Sequence, residues 1–380
     1  MKITLIALHY GEEGSGGARR SYLWAKGLRA AGHQVHVISP YVNGDNHDDL
    51  KVPFANRGSA FRDNPDNKPN LFERLIKQHL RIWLRWPDPE IVWHRNIVDI
   101  TKDHVNSCDW LITSSPPESV HVIGHSLSKA LGARWCVEFR DSWIKNSHRY
   151  YVRGLRAIIE RKLAKKWLKN ADAITSVDND VLSEAIELAP NTQAAIIGHF
   201  SEPFVGDAHP LPAEDFNLVH AGGFERSDKN RSLSTLLEAL QPIFNLRANF
   251  HLHLMGPLTF KETQILKNTK LRITHHGWVE LSKSRAIQAS ADAVLLYAPL
   301  KASTALPGKY AEYCNLRKPI VFFGPIHIKN KASRQDEFLT LEDLVNFPKN
   351  QQMSVEKLAT VENAVSELTS LLKRARQSSL

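Results

Sequence analysis

Apolar positions along this chain fall into short runs separated by stretches of helical spacing. Ile3–Leu8 is a six-residue apolar run, followed by the polar loop GEEGSGGARRS and then by Tyr22, Leu23, Ala25, Leu28 and Ala31 at helical intervals. Gly32 ends that helix, and Val35, Val37 and Ile38 read as the next strand, so the chain opens with a βαβ unit. Trp110–Thr113 reads as a strand entering the turn SSPPES, Val120–Leu131 as a helix, and Trp135–Phe139 as a strand ending at Arg140-Asp141. A long basic helix leads to the strand Ala173–Val177, and Asp178, Asn179 and Asp180 form a good helix start.

Between 190 and 215 the pattern changes. Pro190, Pro203, Pro210 and Pro212 with few helical signals predict a linker. A second alternation then follows: strand Asn217–Ala221, helix Leu233–Leu246, strand Phe250–Met255, strand Arg272–His275, a helix near Ser282–Ser290 and strand Ala293–Leu296. A helix opened by Pro307-Gly308, the strand Pro319–Phe323 and a long amphipathic helix from about Val355 to Ala375 complete it. The expected domains are 1–200 and 201–359, with the helix at about 360–380 packing back on the first. Two parallel α/β units of this kind bind ligands at the carboxyl ends of their strands, with the site expected in a cleft between them.

Composition narrows the class. A chain of 380 residues with 42% hydrophobic content is expected to form more than one globular core. The N-terminal run is too short and too soon followed by Glu12 and Glu13 to read as a signal peptide, and no run approaches a membrane span. Cys108, Cys136 and Cys314 have neither metal-ligand nor disulfide-framework spacing, which suits a reducing cytoplasm. The net charge of +9 is local: Leu71–Trp86 and Tyr151–Lys169 carry all of the excess. Such footprints suit an anionic partner. In Leu71–Trp86 the apolar and basic residues form separate stripes, which fits either a helix lying on an anionic membrane or one packed on its own domain. The same two readings stand open for Lys162–Lys169. No nucleic-acid-binding signature is present.

Two loops carry candidate chemistry. GSGGARRS lies between a first strand and a first helix, where glycine lets backbone approach an anion; it reads equally as a tight turn. It is not GxGxxG, and Ser39-Pro40 stands where a dinucleotide fold needs an acid. In the second unit a strand runs into Gly222-Gly223, followed by Arg226, Lys229 and Arg231; three cations after a glycine pair suit a diphosphate. The histidines of HLHL have strand spacing and read as structural or donor-adjacent rather than as a metal cage.

Taken together, GSGG with GHQVHVISP, WLITSSPPESVHVIG, WCVEFRDSW, ADAITSVDNDV, AGGF…LLEAL and LPGKYAEYCNLRKPIV resemble the GT-B glycosyltransferases of the large family 4 group, over nearly the whole chain. The resemblance implies two Rossmann-like domains facing each other across a cleft. It implies transfer of a sugar from a UDP- or GDP-linked donor to a cell-envelope glycan or lipid-linked acceptor, with retention of configuration and with no metal or other cofactor. An enzyme of this kind would be cytoplasmic, peripheral on the inner face of the membrane through 71–86 and 151–169, and without a nucleic-acid partner. Gly16, Gly17, Gly223, Arg226, Lys229, Arg231, Leu306, Gly308, Lys309 and Glu312 would bind the donor, with Lys309 toward the diphosphate and Glu312 toward the ribose. Arg140 and Asp141 would act at the sugar and acceptor, and Arg19 and Arg20 would hold the acceptor. Thr304 stands where the family often has a first glutamate, and IIGHFSEPF replaces the family's linker signature. Two alternatives remain: a UDP-sugar 2-epimerase, and a non-catalytic protein that keeps the fold.

Overall fold

The computed structural model describes residues 1–380 except 14–15, 43–45, 47–48, 54–82, 106, 147–148, 150, 300–305, 333–336, 353–359 and 378–380, and except the side chains of 94–96. Thr304 and most of the basic segment 71–86 therefore lie outside the described residues. The chain divides into two compact units, Met1–Gly198 with Val361–Leu380, and His199–Thr360.

The first unit is built on β1 (Lys2–Ala7), α1 (Gly16–Ala30), β2 (Gln34–Ser39), β3 (Leu50–Lys51), α2 (His94–His104), β4 (Trp110–Ser115), α3 (Ser119–Leu131), β5 (Arg134–Phe139), α4 (Gly154–Leu168), β6 (Ala173–Ser176), α5 (Asn179–Leu188) and β7 (Gln193–Ile196). Its seven strands are parallel in the order β3-β2-β1-β4-β5-β6-β7. Strands covered on both faces need continuous apolar runs, which is why KITLIA and WCVEF show little alternation. Asp178 caps α5 by accepting from the Val181 N–H at 2.9 Å.

The second unit contains β8 (Phe216–Ala221), α6 (Leu233–Leu246), β9 (Phe250–Met255), α7 (Phe260–Asn268), β10 (Ile273–His275), α8 (Leu281–Ser290), β11 (Ala293–Tyr297), α9 (Lys309–Leu316), β12 (Ile320–Phe323) and the short α10 (Ile326–Lys329). Its parallel sheet runs β10-β9-β8-β11-β12. Strand β11 shows the two-sided burial directly: Val294 and Leu296 enter the core that holds Tyr313, while Leu295 and Tyr297 enter the core that holds Leu236 and Leu240. Both units are Rossmann-like.

Two features differ from the sequence expectation. The stretch 190–215, expected as a linker, contributes β7, a short edge strand whose half-buried QAAI carries little periodic signal. Helices α2 and α7 are not among the expected elements: α7 has only a weak apolar stripe, whereas α2 is amphipathic but short, with Ile97, Val98 and Ile100 crowded into its middle. The last helix, α11 (Val361–Gln377), packs on α1 and β7 as expected of its place at the end of the first unit, and its expected start at Val355 lies outside the described residues.

The α1–α11 contact depends on one missing side chain. A Cβ on Gly27 would stand 2.4 Å from Val361 Cγ1 and 2.8 Å from Val365 Cγ2. Gly27→Ala should therefore destabilise the protein by about 1–2 kcal/mol in urea melts, overpacking outweighing the gain in helix propensity. Adding Val361→Ala should recover most of that loss; an unchanged loss in the double variant would contradict the packing account.

Candidate functional site

In a sheet wound in both directions, ligands bind where the strand order reverses, because adjacent crossovers leave the strand ends open there. That point is β1/β4 in the first unit and β8/β11 in the second. Both glycine loops singled out in the sequence leave a strand at this point.

In the first unit Gly16 opens α1 with nothing crowding it, and Gly17 follows. A Cβ on Gly17 would lie 2.1 Å from Arg140 Nη1, so only glycine admits that guanidinium. Arg140 is itself fixed: Nε donates to the Ser115 carbonyl at 2.7 Å and Nη2 to that of Pro116 at 2.9 Å. Buried and clamped, Arg140 joins α1 to the SSPP turn, and it helps to push the pKa of His9 down, after desolvation. Asp141, partly exposed, follows directly. Its loop is held from α5 by Glu184, which accepts from the Ile144 N–H at 2.8 Å and the Lys145 N–H at 3.1 Å.

Arg20, expected to hold the acceptor, turns inward instead. Its Nε donates to Glu138 Oε1 at 2.8 Å, and its Nη atoms donate to the carbonyls of Gly198 and Ile197 at 2.7 and 2.9 Å. Burial opposes the Glu138 charge, but Arg20, Ser114 and Trp24 hold its carboxyl below the usual range. Arg19 is also buried. A helix N-terminus followed by two arginines looks like a surface anion site in sequence; here the second arginine neutralises a buried carboxylate on β5.

In the second unit the chain leaves β8 through Gly222 at φ +138°, a conformation that needs glycine. Gly256, after β9, packs against it; a Cβ there would stand 2.9 Å from the Gly222 carbonyl. Arg226 and Lys229 are exposed, whereas Arg231 is drawn in beside Tyr297 and Tyr313, where burial lowers its pKa and its Nε has no hydrogen-bond partner. His220 is buried, its Nδ1 3.1 Å from the Leu295 carbonyl, and its pKa is pushed down to about 4 by burial and by the charges of Arg231 and Lys309. The fold thus brings Arg231 and Lys309, 78 residues apart in sequence, into electrostatic reach of the same imidazole. Its Nε2 is also buried without a hydrogen bond.

Leu306 is buried, and Gly308 precedes α9 beside His199. Lys309 Nζ meets Glu312 Oε2 at 2.7 Å, so the two side chains expected to face different parts of a donor face each other. The Tyr313 hydroxyl accepts from the Ala221 N–H at 3.3 Å and fixes α9 to the end of β8. His220 and Tyr313 carry no assigned role in the sequence, although Tyr313 lies inside one of the motifs quoted above and His220 directly precedes another. His251 and His253 are structural. Nδ1 and Nε2 of His251 meet Asp215 and Thr274, and those of His253 meet His276 and Asn217, all within 2.8–3.1 Å. A groove of about 930 Å³ between α6 and α7, lined in part by Leu237, Phe260 and Leu271, contains none of Arg231, Lys309 or His220. Among the described residues no group of three or more His, Cys, Asp or Glu is arranged to hold a metal.

No family model matches the sequence, and no curated protein matches it. Solved structures do. HepE of Anabaena, in complex with UDP and glucose, is 14% identical over all of both chains with a TM-score of 0.54. WaaG, a glycosyltransferase involved in lipopolysaccharide biosynthesis, is 14% identical over 99% of this chain and 94% of its own, with a TM-score of 0.52. A putative UDP-N-acetylglucosamine 2-epimerase from Listeria monocytogenes is 10% identical over 99% and 97%, with a TM-score of 0.57. The fold is GT-B.

Within the first GT-B domain, a buried charge cluster lies behind Asp141. Arg149 donates to the Trp143 and Pro87 carbonyls, both at 2.7 Å, pairs with Glu160, and stands 3.4 Å from Glu118 Oε2. Asp88 accepts from the Ser119 N–H at 2.8 Å, at the start of α3. Burial, together with the charges of Asp88 and Asp141, pushes the Glu118 pKa up to about 8 against the opposing pull of Arg149. The folded protein keeps a proton on Glu118 to about pH 8, whereas the unfolded chain loses it near 4.5. Stability from this group is complete below 4.5 and falls as pH rises toward 8, by up to about 1.4 kcal/mol per pH unit. Glu118→Gln mimics the neutral acid and should flatten that slope, so its melting temperature should fall less than the wild type's between about pH 6 and pH 8.5. Equal slopes would contradict the assignment.

Proposed function

We propose that the protein transfers a sugar from a nucleotide-sugar donor, UDP- or GDP-linked, to a hydroxyl of a cell-envelope glycan or its lipid-linked precursor. The observation that supports this best is the convergence of Arg231 and Lys309 on His220, beside the Gly222-Gly223 turn at the strand-order reversal of the second sheet. Two cations beside an exposed backbone turn match a diphosphate, whose charge grows as the glycosidic bond breaks. Arg226 and Lys229, on the exposed part of the same loop, would neutralise the donor as it arrives. Lys309 would exchange its bond to Glu312 for the phosphate, freeing the Glu312 carboxylate for the ribose hydroxyls.

In this reading the first domain supplies Asp141, which orients the acceptor hydroxyl. The acceptor oxygen bonds to the anomeric carbon, the bond from that carbon to the phosphate oxygen breaks, and the nucleoside diphosphate leaves with the electron pair. Asp141 receives the hydroxyl proton. Retention requires attack on the face from which the diphosphate departs. Arg140, clamped by Ser115 and Pro116, fixes the position of Asp141. The likeness to a putative 2-epimerase favours one second reading, isomerisation of a free UDP-sugar, which needs no acceptor.

Thermal shift against UDP-, GDP- and dTDP-sugars should identify a donor, since binding stabilises the folded state by mass action. Arg231→Ala and Lys309→Ala should each weaken its affinity by roughly ten- to a hundredfold, the worth of a charged hydrogen bond. Asp141→Asn should keep donor affinity and lose transfer. Wild-type affinity in both cation variants would refute the site, and acceptor-free isomerisation seen by NMR would favour the epimerase.

A further inference from the structure

Helix α4 is inverted relative to an ordinary surface helix. Its buried positions, spaced by four, are Arg156, Glu160, Ala164 and Leu168. Arg156 and Glu160 form an ion pair inside: Arg156 Nε lies 3.4 Å from Glu160 Oε2, and Glu160 Oε1 accepts from Trp143 Nε1 at 3.0 Å and pairs with Arg149. The Arg156 guanidinium also stacks over Trp86, 4.1 Å from its ring centre, and lies 5.6 Å from that of Trp83.

The outward face is therefore the apolar one. Leu155 is 68% exposed, Ile158 57% and Ile159 37%, on consecutive turns. Trp83, 51% exposed, lies near α4 through Arg156, with the exposed Leu84 next in sequence. The same face continues into Lys162, Lys165, Lys166 and Lys169, all exposed and, among the described residues, without an ion-pair partner. Arg161, which does pair, is bonded sideways to Glu187 at 2.8 Å.

The helix dipole accounts for lysines in the last turns of α4, but it gives no reason for three aliphatic side chains to face water in the first two. We infer that this outward face of α4 docks on an anionic phospholipid surface. The apolar turns enter the headgroup boundary while the lysine stems lie along it with their ammonium groups among the lipid phosphates. Charge complementarity selects the anionic surface, and the apolar turns select a bilayer over a nucleic acid, which offers them nothing to enter. No described helix is long and apolar enough to cross a membrane, so contact of this kind would be interfacial. The inference is independent of the transfer chemistry, because vesicle binding is read without a donor.

The test is co-sedimentation of the full chain with vesicles of phosphatidylcholine alone and of phosphatidylcholine with about one-quarter phosphatidylglycerol. Binding should require phosphatidylglycerol and weaken with salt. Each lysine contributes about fivefold to partitioning at an anionic surface, so Gln at 162, 165, 166 and 169 together should reduce binding at least a hundredfold. Leu155→Ser with Ile158→Ser should reduce it at least tenfold while keeping the wild-type melting temperature, since both side chains already face water. The proposal is overturned by absence of binding to either vesicle, by equal binding to both, or by wild-type binding in both folded variants. It is equally overturned if Ile158→Ser abolishes a dimer in sedimentation velocity without changing vesicle binding.

Discussion

A parallel sheet wound in both directions leaves one place where strand ends are not roofed by a crossover helix, and the residues proposed for the chemistry lie there. At that place backbone must approach backbone or cation closely, which only glycine permits. Gly17 admits Arg140, and Gly222 and Gly256 close on each other. Each contact fixes a polar group at an open strand end. The first holds Arg140 against the SSPP turn and Asp141 next to it; the second leaves a cradle flanked by Arg231, His220 and Lys309. Remove the glycines and neither arrangement can form without displacing an anchored side chain or the backbone itself.

Burial of charge is the second theme. Each domain keeps ionised groups inside and satisfies them unevenly. Arg20 and Glu138 pair closely and the acid stays ionised. Around Arg149, however, Asp88, Glu118 and Glu160 compete for too little positive charge, so a proton remains on Glu118. In the second domain Arg231 lies near Asp228 and Lys309 bonds Glu312, and burial with the charges of both cations keeps His220 neutral.

The βαβ openings, the two sheets and the helix start at Pro307-Gly308 were legible in the sequence because strand and helix periods differ and because glycine and proline mark turns. What was hidden concerns partner choice. Lys309 and Glu312 are visibly one turn apart, but only their rotamers decide that they bond each other. Arg20 looked like a surface cation because its partner lies on β5, far along the chain. Helix α4 is the clearest case: RAIIERKL suggests isoleucines inside and charges outside, and the structure reverses it because Arg149, Trp143 and Trp86 form a polar and aromatic socket for Arg156 and Glu160. Strand β7 was missed for lack of any strong pattern at a sheet edge.

The central claim is that the second domain holds a nucleoside diphosphate at the end of β8. The most direct measurement is a crystal structure with UDP or a UDP-sugar soaked in. The account predicts the diphosphate within hydrogen-bond distance of Arg231 and Lys309, next to Gly223, with Glu312 turned to the ribose. A nucleotide bound instead in the groove between α6 and α7, or at the β1/β4 end of the first sheet, would contradict it.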